Sequence, residues 1–195
     1  MRKLLILTVV IMTALSLGAV SVDLGLSYGG RNLADDDFKD IFGNGNVFCP
    51  ELSVNVFKGL TLGVLMETGY DKDGQLGNVI AYKSNLKVSG FEAFIGYTLD
   101  LKRFHPFIRL GYGSYKYEQT IDATHLPSEY TNLEETKSVV TYGGGIKVDL
   151  IAGLYLGGQV RYVPMKLTPV ENEIDLGGLR YLVTVGYRFD FKKKE

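Results

Sequence analysis

Leu179-Arg180-Tyr181-Leu182-Val183-Thr184-Val185-Gly186-Tyr187-Arg188-Phe189 is the stretch that decides the fold. Successive side chains of a strand point to opposite faces. Leu179, Tyr181, Val183, Val185, Tyr187 and Phe189 therefore make one greasy face, while Arg180, Leu182, Thr184, Gly186 and Arg188 make a face with two guanidinium groups. No helical period sorts these residues so cleanly.

The same two-beat pattern recurs in seven earlier stretches. The first sets Val20, Val22, Leu24, Leu26 and Tyr28 against Ser21, Asp23, Gly25, Ser27 and Gly29. Others follow at residues 48–56, 60–67, 90–99, 107–113, 140–149 and 154–163. The fully developed stretches match the roughly 9–11 residues that a tilted strand needs to cross a bilayer. A soluble barrel or sandwich would turn the apolar faces inward. Here the polar faces hold Asp23, Glu51, Glu67 and Glu92 in the first four stretches, then Arg109, Lys147, Arg161, Arg180 and Arg188 in the last four. Acids would thus face bases across a shared interior, and the apolar faces carry almost no charge. Lipid outside and a polar lumen inside is the arrangement these faces favour.

Met1 to Ala19 has the plan of a secretory signal peptide, with Arg2 and Lys3, an apolar run from Leu4 to Leu17, and small residues at Ser16, Gly18 and Ala19. The expected division is a signal peptide at 1–19, a barrel at 20–191 and a basic periplasmic tail at 192–195. A signal peptide followed by weakly hydrophobic strands points to the bacterial outer membrane. Cys49, the single cysteine, is remote from the cleavage region and forms no intramolecular disulfide. With a net charge of −1 and no basic patch apart from Lys192–Lys194, the chain is not expected to bind nucleic acid.

Short joints at 57–59, 100–105 and 151–153 alternate with long polar joints at 31–47, 71–86, 118–138 and 164–178. Barrels of this kind have short periplasmic turns and long extracellular loops, which places both termini in the periplasm and four loops outside. Tyr28, Tyr70, Tyr112, Tyr142, Tyr162 and Tyr181 are expected at the loop-side lipid interface, and Tyr97, Tyr187 and Phe189 at the turn side, as two aromatic girdles.

The strand count, the alternating joints, the run Tyr142-Gly143-Gly144-Gly145 and the closing Gly186-Tyr187-Arg188-Phe189-Asp190-Phe191 resemble the small eight-stranded outer-membrane barrels of OmpA and OmpX type. The resemblance covers the whole chain after the signal peptide. It implies an all-β, eight-stranded antiparallel up-and-down transmembrane β-barrel in contact with outer-membrane lipid and lipopolysaccharide. It also implies that the barrel-assembly machinery reads a terminal strand with alternating aromatics, here Tyr187, Phe189 and Phe191. Lys192 to Glu195 follow that last Phe, which departs from the strict end-of-chain signal.

Catalytic ingredients are sparse. His105 sits in a short joint beside Pro106, and His125 and Ser128 share a long joint with Glu129, Glu134 and Glu135 without the spacing that orients a base. No enzyme activity is expected. The acids Asp35, Asp36, Asp37 and Asp40, like Asp71 and Asp73, fit solvated loop tips better than a calcium loop. Neither a metal nor a cofactor is expected. An eight-stranded interior is just wide enough for side chains to fill, so the nine lumen charges are expected to plug it as a network. The resulting expectation is a structural or surface-interaction barrel, ahead of a narrow porin-like channel and, third, a soluble ligand-binding barrel. The extracellular partner is left open.

Overall fold

A computed structural model of the chain describes residues 21–56, 59–77, 81–123, 125, 127–170 and 172–191. The signal peptide expected at 1–19 and the tail expected at 192–195 lie outside the described residues. In chain order the elements are β1 (Ser21–Arg31), α1 (Asp36–Phe42), β2 (Gly45–Asn55), β3 (Leu60–Leu76), β4 (Tyr82–Thr98), β5 (Phe104–Ile121) and α2 (Ser128–Thr131), then β6 (Asn132–Asp149), β7 (Leu154–Val163), β8 (Lys166–Val170), β9 (Asn172–Asp175) and β10 (Gly178–Asp190).

Eight of the strands close on themselves in the order β1-β10-β7-β6-β5-β4-β3-β2, each antiparallel to its neighbours. Closure satisfies the backbone of every wall strand and leaves no sheet edge in the lipid. β10, which contains Leu179 to Phe189, seals the barrel, with Asp23 opposite Arg188 and Tyr28 opposite Val183 across the β1–β10 seam. Leu26, Ile108, Leu110, Val140, Val183 and Val185 stand on the outer wall, each at least half exposed. That surface is the inverse of a soluble protein's. No helix among the described residues is long and apolar enough to cross a membrane.

The wall is uneven in height. β3, β4, β5 and β6 run 17, 17, 18 and 18 residues, whereas β1, β2 and β7 run 11, 11 and 10. At about 3.3 Å per residue and a tilt near 40°, the long strands rise some 40 Å, well above an apolar band of about 25 Å. Two of the long joints expected from sequence are therefore largely strand. The outward side chains there are polar (Asp71, Asp73, Lys87, Lys116, Glu118 and Glu134), so the lipid-facing pattern stops while the hydrogen-bond ladder continues. The remaining two long joints fold into α1 and into the β8–β9 hairpin, both packed over the loop-side mouth.

Tyr70 corrects one expectation. It was read as lipid-facing because it continues the even-numbered face of Leu60, Leu62, Val64 and Met66. The β3–β4 register shifts between Glu67 and Tyr70, and Gly69 there adopts φ +98°. A bulge inserts one residue and flips the faces beyond it. Tyr70 consequently points inward and is 1% exposed.

Candidate functional site

The lumen holds every acid and base that the alternation assigned to it, in two tiers. In the turn-side half, Asp23 accepts from Lys147 at 3.0 Å and from Arg188 Nε at 2.9 Å, and Glu51 accepts from Arg109 at 2.7 Å. Arg188 also reaches Asp149 at 3.2 Å, and His105 Nε2 lies 2.8 Å from the same carboxylate. His105 is thus a clamp on the turn end of β5 and β6.

The loop-side tier is desolvated. Glu67 pairs with Arg161, with Arg180 at 3.3 Å and with Arg31 at 3.9 Å, while Glu92 takes Arg161 at 3.5 Å and the Tyr115 hydroxyl at 3.0 Å. Side-chain exposure is 0% for Arg31, Arg161, Arg180, Glu67 and Glu92. Acids on β1 to β4 meet bases on β5 to β10 across the interior. Arg31, a base on β1 at a position expected in a loop, and Asp149, an acid on β6, are the exceptions. The Arg31 guanidinium donates to the Leu176 carbonyl at 2.5 Å, and Arg180 donates to Gly178 O at 2.8 Å, so both anchor the chain leaving the hairpin. Between the tiers Ser27, Thr184 and Gln159 form a neutral triangle with separations of 2.7, 3.1 and 3.3 Å.

Toward the loop-side mouth the lumen turns apolar. Val47, Leu86, Val88, Tyr117 and Val163 project inward and pack against Leu33 and Phe42 around α1 and against Met165, Leu167 and Leu176 of the β8–β9 region. An entirely polar plug was expected, and the upper third is instead a small hydrophobic core. At Leu86 and Val88 the outward neighbours are the polar Asn85, Lys87 and Ser89, so the sense of the alternation is reversed on that stretch of β4, and that reversal is a signal available in the sequence.

The remaining aromatic positions divide as follows. Tyr28, Tyr112, Tyr142 and Tyr181 are exposed at the loop-side margin, with Tyr162 half-buried and its ring 5.1 Å from that of Tyr142. Tyr97, Tyr187 and Phe189 are exposed at the turn side, the latter two in edge contact at 4.7 Å, and Phe191 is exposed below them. His125 bonds to the Tyr82 hydroxyl at 3.0 Å rather than to Ser128, which opens α2. Asn85 donates to both Asp71 and Asp73, at 2.7 and 3.0 Å.

Residues 4–189 match the family model described as the outer membrane protein beta-barrel domain. The chain belongs to that family. Outer-membrane β-barrels lie in a lipid and lipopolysaccharide environment, and the bacterial outer membrane is the location of this one. The soluble-barrel expectation is set aside on the same ground, together with the apolar outer wall. No curated protein matches the sequence. Among solved structures, this outer-membrane barrel is similar to OprG from Pseudomonas aeruginosa, with a TM-score of 0.65, 11% identity, and 89% of this chain and 97% of that one covered. It is also similar to Neisserial surface protein A, with a TM-score of 0.59, 10% identity, and coverage of 87% and 96%. Ail, the attachment invasion locus protein of Yersinia pestis, gives a TM-score of 0.57, 12% identity, and coverage of 88% and 99%. Identities this low establish a shared fold, and function rests on the site.

Proposed function

We propose that this outer-membrane barrel is a sealed anchor that presents an extracellular surface, not a conduit. The observation that carries the reading is the stacking of two fills: a fully desolvated ion-pair tier at Glu67, Arg161 and Arg180, and an apolar tier above it closed by α1 and the β8–β9 hairpin. Buried charges persist in a narrow space only as a paired network, and the apolar tier offers a permeating solute no polar contact. The exposed material is then the four-strand extension of β3 to β6 with its caps. Ail has been solved in complex with the heparin analogue sucrose octasulfate, and a surface-interaction role puts this chain in the same broad class. Tyr187, Phe189 and Phe191 serve in this reading as the segment recognised by the barrel-assembly machinery.

Planar-bilayer recording of the refolded protein tests the proposal. A sealed anchor gives no discrete current steps. Reproducible ohmic steps that shift when Glu51 or Arg109 is neutralised would replace it with the narrow porin-like channel.

A further inference from the structure

The two tiers of the lumen carry different charge totals. On the turn side, Asp23, Glu51 and Asp149 stand against Arg109, Lys147 and Arg188, three carboxylates with three Arg or Lys side chains. On the loop side, Glu67 and Glu92 stand against Arg31, Arg161 and Arg180, and all five of these side chains are 0% exposed. A guanidinium stays protonated in a protein, so the extra base cannot shed its charge as a proton. One positive charge is left over, in the tier where desolvation makes an uncompensated charge most costly.

Arg31 carries the surplus. Arg180 donates to Glu67 from both Nε and Nη2 at 3.3 Å, and Arg161 pairs with Glu67 through Nη2 and with Glu92 through Nη1. Arg31 comes no nearer to Glu67 than 3.9 Å, and Glu67 is the one carboxylate within ion-pair distance of it among the described residues. Its Nη2 donates to the Leu176 carbonyl, while the buried Nε and Nη1 have no hydrogen-bond partner among the described residues. Asp175, beside Leu176 in the chain, accepts from Gly177 N at 2.9 Å. Arg109 also has unbonded donors at Nε and Nη2, but in a tier whose charges balance, beside a void of about 10 Å³ with room for a water.

We infer that the loop-side tier binds one small monovalent anion, of halide size, at the Arg31 guanidinium. A single negative charge brings the tier to neutrality and takes up N–H donors that the protein leaves unbonded. A multivalent anion overshoots the balance. Leu65, Tyr70 and Tyr115, each at most 1% exposed, leave no solvent gap for a bulky one. The site goes beyond the surface-anchor reading: because Arg31 also holds the Leu176 carbonyl and stacks on Tyr70, the bound ion couples the stability of both covers to halide.

The test uses the full chain refolded in detergent micelles with sodium chloride, sodium bromide or sodium gluconate at one ionic strength. A ligand held by the native state alone stabilises it, so the urea midpoint is expected to rise and saturate with chloride or bromide and to stay flat with gluconate. Arg31→Met is expected to lose the halide dependence. Arg31→Lys, which keeps the surplus charge, and Lys116→Met, on the outer wall with Glu118 and Glu134, retain it. Crystals of the unaltered chain grown in bromide read the site even if Arg31→Met does not refold, with one anomalous peak expected in contact with the Arg31 guanidinium. No halide dependence, an equal dependence in Arg31→Met, or no ordered bromide at Arg31 would each overturn the inference. Halide indifference with a thiolate absorbance that vanishes in Cys49→Ser also overturns it, by placing the missing charge on the Cys49 sulfur, 3.9 Å from Arg161 Nη2.

Discussion

The Arg31 guanidinium lies over the ring of Tyr70, 4.7 Å from its centroid, inside the barrel. The two residues reach opposite parts of the cap: Tyr70 donates to the Gly43 carbonyl behind α1, and Arg31 donates to the Leu176 carbonyl behind the β8–β9 hairpin. Stacked, they tie both extracellular covers to the Glu67 ion cluster. The bulge at Gly69 makes this possible by turning Tyr70 inward.

Tyr70→Phe keeps the ring and the stacking and removes the bond to Gly43. The expected cost is about 1 kcal/mol, with faster proteolytic nicking at residues 36–43. Urea unfolding in detergent micelles and limited proteolysis read the two effects. Unchanged nicking would show that α1 is held by its apolar face alone.

Glu67→Gln leaves Arg31, Arg161 and Arg180 facing Glu92 as the one remaining carboxylate of the tier. Removing one partner of a buried ionic group leaves an uncompensated charge, and a loss of about 3–5 kcal/mol is expected. Lipid-facing Val160→Leu changes only a contact with acyl chains and is expected to be nearly silent. Heat-dependent gel mobility and urea midpoints compare them, and equal midpoints would mean that the tier is hydrated.

Gly186 and Gly25 face each other across the β1–β10 seam, and the Tyr155 ring from β7 lies over both. A methyl at Gly186 would occupy the end of that ring. Gly186→Ala is expected to cost about 1–3 kcal/mol through overpacking, with partial recovery in the double variant Gly186→Ala, Tyr155→Leu. Failure of the second substitution to recover stability would locate the strain in the backbone instead.

Orientation is checked by labelling intact cells in a Cys49→Ser background. Asp73→Cys and Glu173→Cys, both exposed on the cap side, are expected to react with a membrane-impermeant maleimide, while Lys102→Cys in the β4–β5 turn stays unlabelled. The reverse pattern would invert the barrel.

Alternation is a property of neighbouring residues, which is why eight membrane-crossing strands, their lipid-facing sides and the acids and bases of the lumen could be read along the chain. Leu179 to Phe189 shows both faces without reference to any other segment. The pairing of those charges, with Asp23 bound to Lys147 and Arg188 and Glu67 bound to Arg161 and Arg180, required closure, because the partners lie on strands that only the barrel brings together. Tyr70 was misplaced for a different reason. One inserted residue at the bulge reverses every later face of β3, and its position is set by the register with β4, not by local composition. The same dependence hid the apolar tier. Val47, Leu86 and Leu182 belong to one core with Phe42 and Leu167 because α1 and the hairpin fold back over the mouth. Local periodicity fixes which way a side chain faces, and only tertiary closure sets what stands opposite it.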